Sequence, residues 1–144
     1  CFIKKNVVEK DEKEKNIRKI LNFGHTFAHA YEATMSYSKK LNHGEAVILG
    51  MITALKFSLK HSFIKKKQFN LILNHCESLK LPTNIKKFFS IKDLKKILSY
   101  MIKDKKNNSD DIKLVLLKNI GSPSIDNLYK KNKIKFFLQK ELSD

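Results

Sequence analysis

The chain has 144 residues, 42% of them hydrophobic, and 30 Lys and Arg against 14 Asp and Glu give a formal charge of +16. That length and apolar share support one domain with its own core and exclude a disordered chain. Two cysteines, Cys1 and Cys76, exclude a disulfide framework and point to a reducing compartment such as the cytoplasm, while no apolar run approaches the roughly 20 residues of a membrane-spanning helix.

A basic surface is the electrostatic footprint of a nucleic-acid binder. Here, however, Arg18 is the only arginine, and lysines are interleaved with Ile, Asn and Phe along the whole chain. That dispersion fits solvated lysine faces in a chain drawn from AT-rich codons, and argues against a nucleic-acid partner. The chain begins at Cys1, shows no signal-peptide core and runs at once into charge, as the interior of a longer protein would.

In chain order, residues 1–17 pass from a short apolar patch into alternating charge, with Asp11, Glu12 and Glu14 suited to a helix N-terminus. The first predicted helix starts within 11–16 and runs to about Met35. Gly24 inside it costs about 1 kcal/mol against alanine and suggests close backbone packing. On such a helix Arg18, Asn22, His25, His29 and Glu32 fall within roughly 80° of arc, one polar stripe. After a loop around 38–42, the run from Glu45 to His61 is apolar nearly all round, the mark of a buried central helix, and its Gly50 again suggests close approach. A third helix spans about Lys66–Lys80 and ends before Pro82. Ser90 and Asp93 open a fourth with a capping-box pattern. Residues 112–117, IKLVLL, are the one good strand candidate, and a last helix is expected from about Asp126 to Leu142.

The histidines carry the chemistry. His25 and His29, four apart on a helix, can reach one metal ion, and His43 can add a ligand from the start of the next helix. Thr26 stands where a zinc-protease motif needs glutamate, which removes that possibility. The residues alone leave a metal site, an anion site and ligand-free histidines open.

Three blocks, VVEKDEKEKNIRKILNFGHTFAHAYEA, LNHGEAVILGM and MIKDKKNNSDDIKLVLLKNIG, resemble in this order the C-terminal domain of the 3-dehydroquinate synthase family. The resemblance implies a mainly α, multi-helical domain over 1–144 with at most one or two short strands. The NAD-binding α/β domain would lie outside this chain, which has no GxGxxG cradle. It implies that His25 and His43 ligate a divalent zinc or cobalt ion, whose third ligand, a glutamate, comes from an earlier segment. His29 and Glu14 would then transfer protons. Lys4, Arg18, Asn22 and Lys105 or Lys106 would hold the carboxylate, phosphate and hydroxyls of a seven-carbon sugar acid phosphate. In such enzymes a ring hydroxyl is oxidised with NAD, phosphate is eliminated, the ketone is reduced again, and ring opening leads to aldol closure. A homodimer is implied for the full enzyme, and inactivity for this chain alone.

Departures from the family pattern are Ala28 and Asn16 where glycines are commoner, and a loop of different length before His43. Plainer roles remain beside the implied ones: Lys4, Lys105 and Lys106 as solvated lysines, Glu14 as a helix-terminal charge. Two other functions stand as alternatives, a related sugar-phosphate cyclase with another substrate and a basic helical nucleic-acid-binding module.

Overall fold

Asn42 and Glu45 start the helix on which much of the rest packs. The Asn42 side chain accepts from the Glu45 amide at 3.0 Å, and the Glu45 carboxylate accepts from the Asn42 amide at 3.0 Å, so two otherwise orphaned donors are satisfied. The helix that follows, α3, spans His43–Lys60. In this computed structural model, which describes residues 2–13, 17–103 and 111–143, it is preceded by α1 (Phe2–Lys10), a 3-10 helix (Ile17–Asn22) and α2 (His25–Thr34). After it come α4 (Lys66–Ser78), 3-10 turns at Ile85–Lys87 and Ile91–Asp93, α5 (Leu94–Lys103), strands β1 (Asp111–Asn119) and β2 (Ser122–Lys130), and α6 (Lys131–Ser143). The fold is mainly α with one antiparallel two-stranded sheet.

Burial explains why α3 is central. Leu49, Ile52, Leu55 and Phe57 are each at most 2% exposed, and burying each is worth about 1.5–3 kcal/mol. That outweighs the roughly 1 kcal/mol that Gly50 costs in a helix interior. Gly50 is there for proximity: a Cβ on it would collide with the Gly24 carbonyl oxygen and come within 2.8 Å of the Ala28 nitrogen. The expectation of close approach at both glycines holds. Gly24, before α2, lies against the middle of α3, while Glu32 near the end of α2 touches His43 at the start of α3, so the two helices run in opposite directions.

The expected single helix over 11–35 is not formed. Gly24 adopts φ +80°, and a Cβ there would lie 2.5 Å from the Met51 nitrogen. The left-handed residue ends the 3-10 helix and lets α2 start afresh at His25, in a direction set by α3. Residues 2–10, for which no helix was expected, form α1, a helix with Val7 buried.

The third and fourth helices form close to their expected bounds. Ser90 and Asp93 make the predicted capping box, although the first turn after it is 3-10. On α5, Leu94, Ile97, Leu98 and Met101 are buried at i, i+3, i+4 and i+7. Strand β1 alternates as its sequence suggests, with Ile112, Leu114 and Leu116 facing the core against α3 and α5. The last helix, expected from Asp126, begins instead at Lys131, because 122–130 pair with β1 through the turn at Gly121, φ +79°. Helix α6 then buries Ile134, Phe137, Leu138 and Leu142. Among the described residues no helix is long and apolar enough to cross a membrane.

Candidate metal and substrate site

The turn at Gly24 separates the stripe seen in the sequence into two elements, yet much of it still converges. Arg18 and Asn22 of the 3-10 helix and His25 of α2 line one cavity of about 340 Å³, with Lys4 and Val8 from α1 and Leu21 beside them. The Arg18 amide donates to the Asp11 carboxylate at 3.1 Å, and its Nη1 donates to the Glu12 carbonyl at 2.7 Å. The guanidinium thus ties down its own approach loop with one of five N–H donors.

The three histidines differ in setting. His25 and His29, one turn apart on α2, meet edge to face with ring centroids 5.7 Å apart; His29 is exposed. His43 opens α3. His25 Nδ1 lies 3.3 Å from the Phe23 carbonyl oxygen, and His43 Nδ1 lies 3.0 Å from Glu32 Oε1. Carbonyl and carboxylate oxygens only accept, so in both rings Nδ1 carries the donated proton, and the neutral tautomer that makes this contact has its lone pair on Nε2. Among the described residues no hydrogen bond engages Nε2 of either ring. A neutral imidazole anchored through one nitrogen and open at the other is the donor a divalent metal takes. Among the described residues no three of His, Cys, Asp and Glu are grouped to hold an ion, so His25 and His43 could supply only part of a donor set.

The other expected residues fall outside this picture. Glu14, Lys105 and Lys106 lie outside the described residues. Lys4 is exposed on α1 and faces the same cavity as Arg18. Another cavity, about 650 Å³ and lined by Thr34, Met35, Lys40 and Phe88 among others, lies at the far end of α2 from His25 and contains none of the expected residues.

Two features escaped the sequence. Glu32 was placed on the stripe without a partner, although its position three residues after His29 was the available signal. The second is a clamp at the back of the cavity. Asp126 accepts from Lys113 at 2.8 Å and from Lys19 at 3.3 Å, and Thr26 Oγ1 donates to the Lys113 carbonyl at 3.2 Å. Asn22 lines both the main cavity and a smaller one of about 160 Å³ beside this clamp. The hydrogen bond from Lys113, with that from Lys19, holds the Asp126 carboxyl below the usual carboxylate range, against a smaller opposing effect of burial. No local pattern in the sequence pairs residues 107 apart.

Comparison with known proteins decides the family. Residues 1–107 match the family described as 3-dehydroquinate synthase C-terminal. The chain belongs to the 3-dehydroquinate synthase family. It is 62% identical over 143 residues to the 3-dehydroquinate synthase of Pelagibacter ubique, a match covering 99% of this chain and 39% of that protein. The 3-dehydroquinate synthase of Leptospira interrogans is 44% identical over 123 residues, covering 85% of this chain and 32% of the relative. The chain therefore spans well under half the length of these curated relatives. Among solved structures, a 2-deoxy-scyllo-inosose synthase complexed with carbaglucose-6-phosphate, NAD+ and Co2+ superimposes with a TM-score of 0.78 at 25% identity, covering 95% of this chain and 39% of that one. A 2-epi-5-epi-valiolone synthase from Streptomyces hygroscopicus, with NAD+ and Zn2+ bound, gives a TM-score of 0.72 at 19% identity over 94% of this chain and 36% of its own, a likeness of fold. Both of these solved structures hold NAD+ and a divalent metal ion.

Proposed function

We propose that this chain is the metal- and substrate-binding part of a 3-dehydroquinate synthase, which converts 3-deoxy-D-arabino-heptulosonate 7-phosphate to 3-dehydroquinate with release of phosphate, a step of the shikimate pathway to chorismate and the aromatic amino acids. The observation that carries this assignment is the pair of imidazoles anchored through Nδ1 and open at Nε2, on two helices packed glycine to glycine. His25 and His43 would hold a zinc or cobalt ion together with a glutamate from the N-terminal part of the enzyme, which would also bind NAD. When bound, the ion supplies Lewis-acid stabilisation of developing oxyanion charge, and NAD supplies a transient oxidation.

The chain's own residues supply the rest. Lys4 and Arg18 face the cavity and neutralise the phosphate and carboxylate of the substrate, and Arg18 presents the donors that its loop contact leaves over. Asn22, on the same wall, is placed for a substrate hydroxyl. His29, exposed and in edge contact with the His25 ring, holds and moves a proton at one ring nitrogen. Glu14 would serve as the second proton-transfer group, and Lys105 or Lys106 as a further substrate cation. The whole enzyme is taken to be a cytoplasmic homodimer.

A second assignment, a related cyclase acting on another sugar phosphate, is favoured by the 0.78 TM-score to the 2-deoxy-scyllo-inosose synthase. The 62% identity to a 3-dehydroquinate synthase places it second. Phosphate release by the full-length enzyme, with NAD and zinc or cobalt present, separates the two. The heptulosonate phosphate should turn over, and His25→Ala or His43→Ala should lower kcat/KM by about 10³-fold or more, roughly 4 kcal/mol of transition-state stabilisation. The 144-residue chain alone should release no phosphate. Turnover of glucose 6-phosphate in place of the heptulosonate would establish the second assignment.

A further inference from the structure

We propose that Glu32 is a positioning residue for the bound metal: its carboxylate fixes the orientation and the tautomer of the His43 ring so that Nε2 is presented to the ion. The proposal rests on the metal assignment above and adds a residue to it. His43 Nδ1–H donates to Glu32 Oε1 at 3.0 Å, and the two side chains differ sharply in freedom, that of His43 being 66% exposed and that of Glu32 12%. The ring is the exposed member and the carboxylate, seated on α2, is the fixed one. An exposed histidine without such an anchor would sample several rotamers and both tautomers, and only some present Nε2 to a common point.

The neighbouring acid cannot take this part. Glu45, two residues from His43, already accepts from the Asn42 amide in the capping box. That box fixes the backbone around His43 while leaving its ring to Glu32. His25 is oriented differently, through the Phe23 carbonyl, which belongs to the backbone turn at Gly24. Of the two anchors, therefore, Glu32 is the one a side-chain substitution removes. Removing the carboxylate partner of a metal-bound histidine typically costs 10- to 100-fold in metal affinity.

The alternative role for the same contact is a tether between α2 and α3, which would act on stability and not on the ion. A double-mutant cycle on the full-length enzyme separates the two, with zinc affinity read by competition against a chromophoric chelator. Glu32→Ala should weaken zinc binding about 10- to 100-fold. Glu32→Gln, which keeps the accepting oxygen and loses the charge, should weaken it less and serves in the same cycle if the alanine variant does not fold. In a His43→Ala background neither substitution should weaken binding further. The visible spectrum of the cobalt form should change with Glu32→Ala, as a reoriented ligand requires. Unchanged zinc affinity in both Glu32 variants, or an equal loss with and without His43, would overturn the proposal while leaving the metal assignment intact. Unchanged zinc affinity in His43→Ala itself would overturn the metal assignment, and this proposal with it.

Discussion

Gly24 and Gly121 both sit at positive φ, +80° and +79°, yet they answer to different constraints. A Cβ on Gly121 would meet nothing within 4 Å, whereas one on Gly24 would lie 2.5 Å from the Met51 nitrogen and 2.8 Å from the Gly50 carbonyl carbon. Gly121→Ala should therefore cost only the left-handed backbone strain, about 1–2 kcal/mol. Gly24→Ala adds a collision with backbone that cannot turn aside, and its total should reach about 3–5 kcal/mol, measured by urea unfolding. The consequence extends beyond stability, because His25 follows Gly24 directly and Phe23, which orients its ring, precedes it. Equal costs for the two alanines would mean that α2 and α3 have room to separate. Tyr31 marks the same close packing: its hydroxyl pairs with Thr53 at 2.9 Å inside the core, and burial pushes its phenol far above the ordinary tyrosine range.

At the level of elements, the 3-10 helix Ile17–Asn22 carries two of the expected substrate residues, Arg18 and Asn22, but has no buried residue to hold it. It is held at its flanks, through the Arg18 contacts to residues 11 and 12 and through Lys19 to Asp126 on β2. Asp126→Asn should speed amide hydrogen exchange across 17–22 while leaving α3 protected. It should also raise KM about two- to fivefold with kcat nearly unchanged, since exposed ion pairs contribute up to about 1 kcal/mol. The pH sense follows from the depressed carboxyl. A carboxyl whose folded pKa lies below its unfolded value of about 3.9 contributes stability that is complete above that value and lost as pH falls through the folded one. The difference in urea midpoint between the native protein and Asp126→Asn should thus be present at pH 6 and vanish near pH 2.

This element scale is also where the sequence was least legible. Helices α3, α4 and α5 could be read because apolar spacing and caps such as Ser90 with Asp93 are local signals. The break at Gly24 depends on a backbone contact with residues 50 and 51, which no window of local sequence contains. Strand β2, SPSIDNLYK, has Pro123, Asp126 and Asn127 and little alternation; it is a strand because β1 offers it an edge, and an edge tolerates a proline. The site divides in the same way. His25 and His29 at i and i+4 were visible from spacing, whereas the choice of His25 with His43 came from family resemblance. The Glu32 contact that gives His43 a defined orientation became visible only with α2 laid against α3.

For the molecule as a whole, one packed helical pair carries two imidazoles with open Nε2 atoms, that of His25 beside a cavity lined by Lys4 and Arg18 and that of His43 at the start of α3, in a chain that matches 39% of the length of its Pelagibacter ubique relative. The donors it offers a metal are incomplete among the described residues, and the remainder is assigned to the N-terminal part of the enzyme. The lysines that give the chain its charge of +16 are spread over every element except α2, in keeping with solvated faces. The central claim is that His25 and His43 share a divalent ion through Nε2. Anomalous diffraction at the zinc edge, from crystals of the full-length enzyme, tests this most directly. The account predicts one peak within about 2.0–2.1 Å of Nε2 of both His25 and His43, with His29 outside the coordination sphere. A peak held by His25 and His29 without His43, or none at either ring in zinc-saturated crystals, would contradict it.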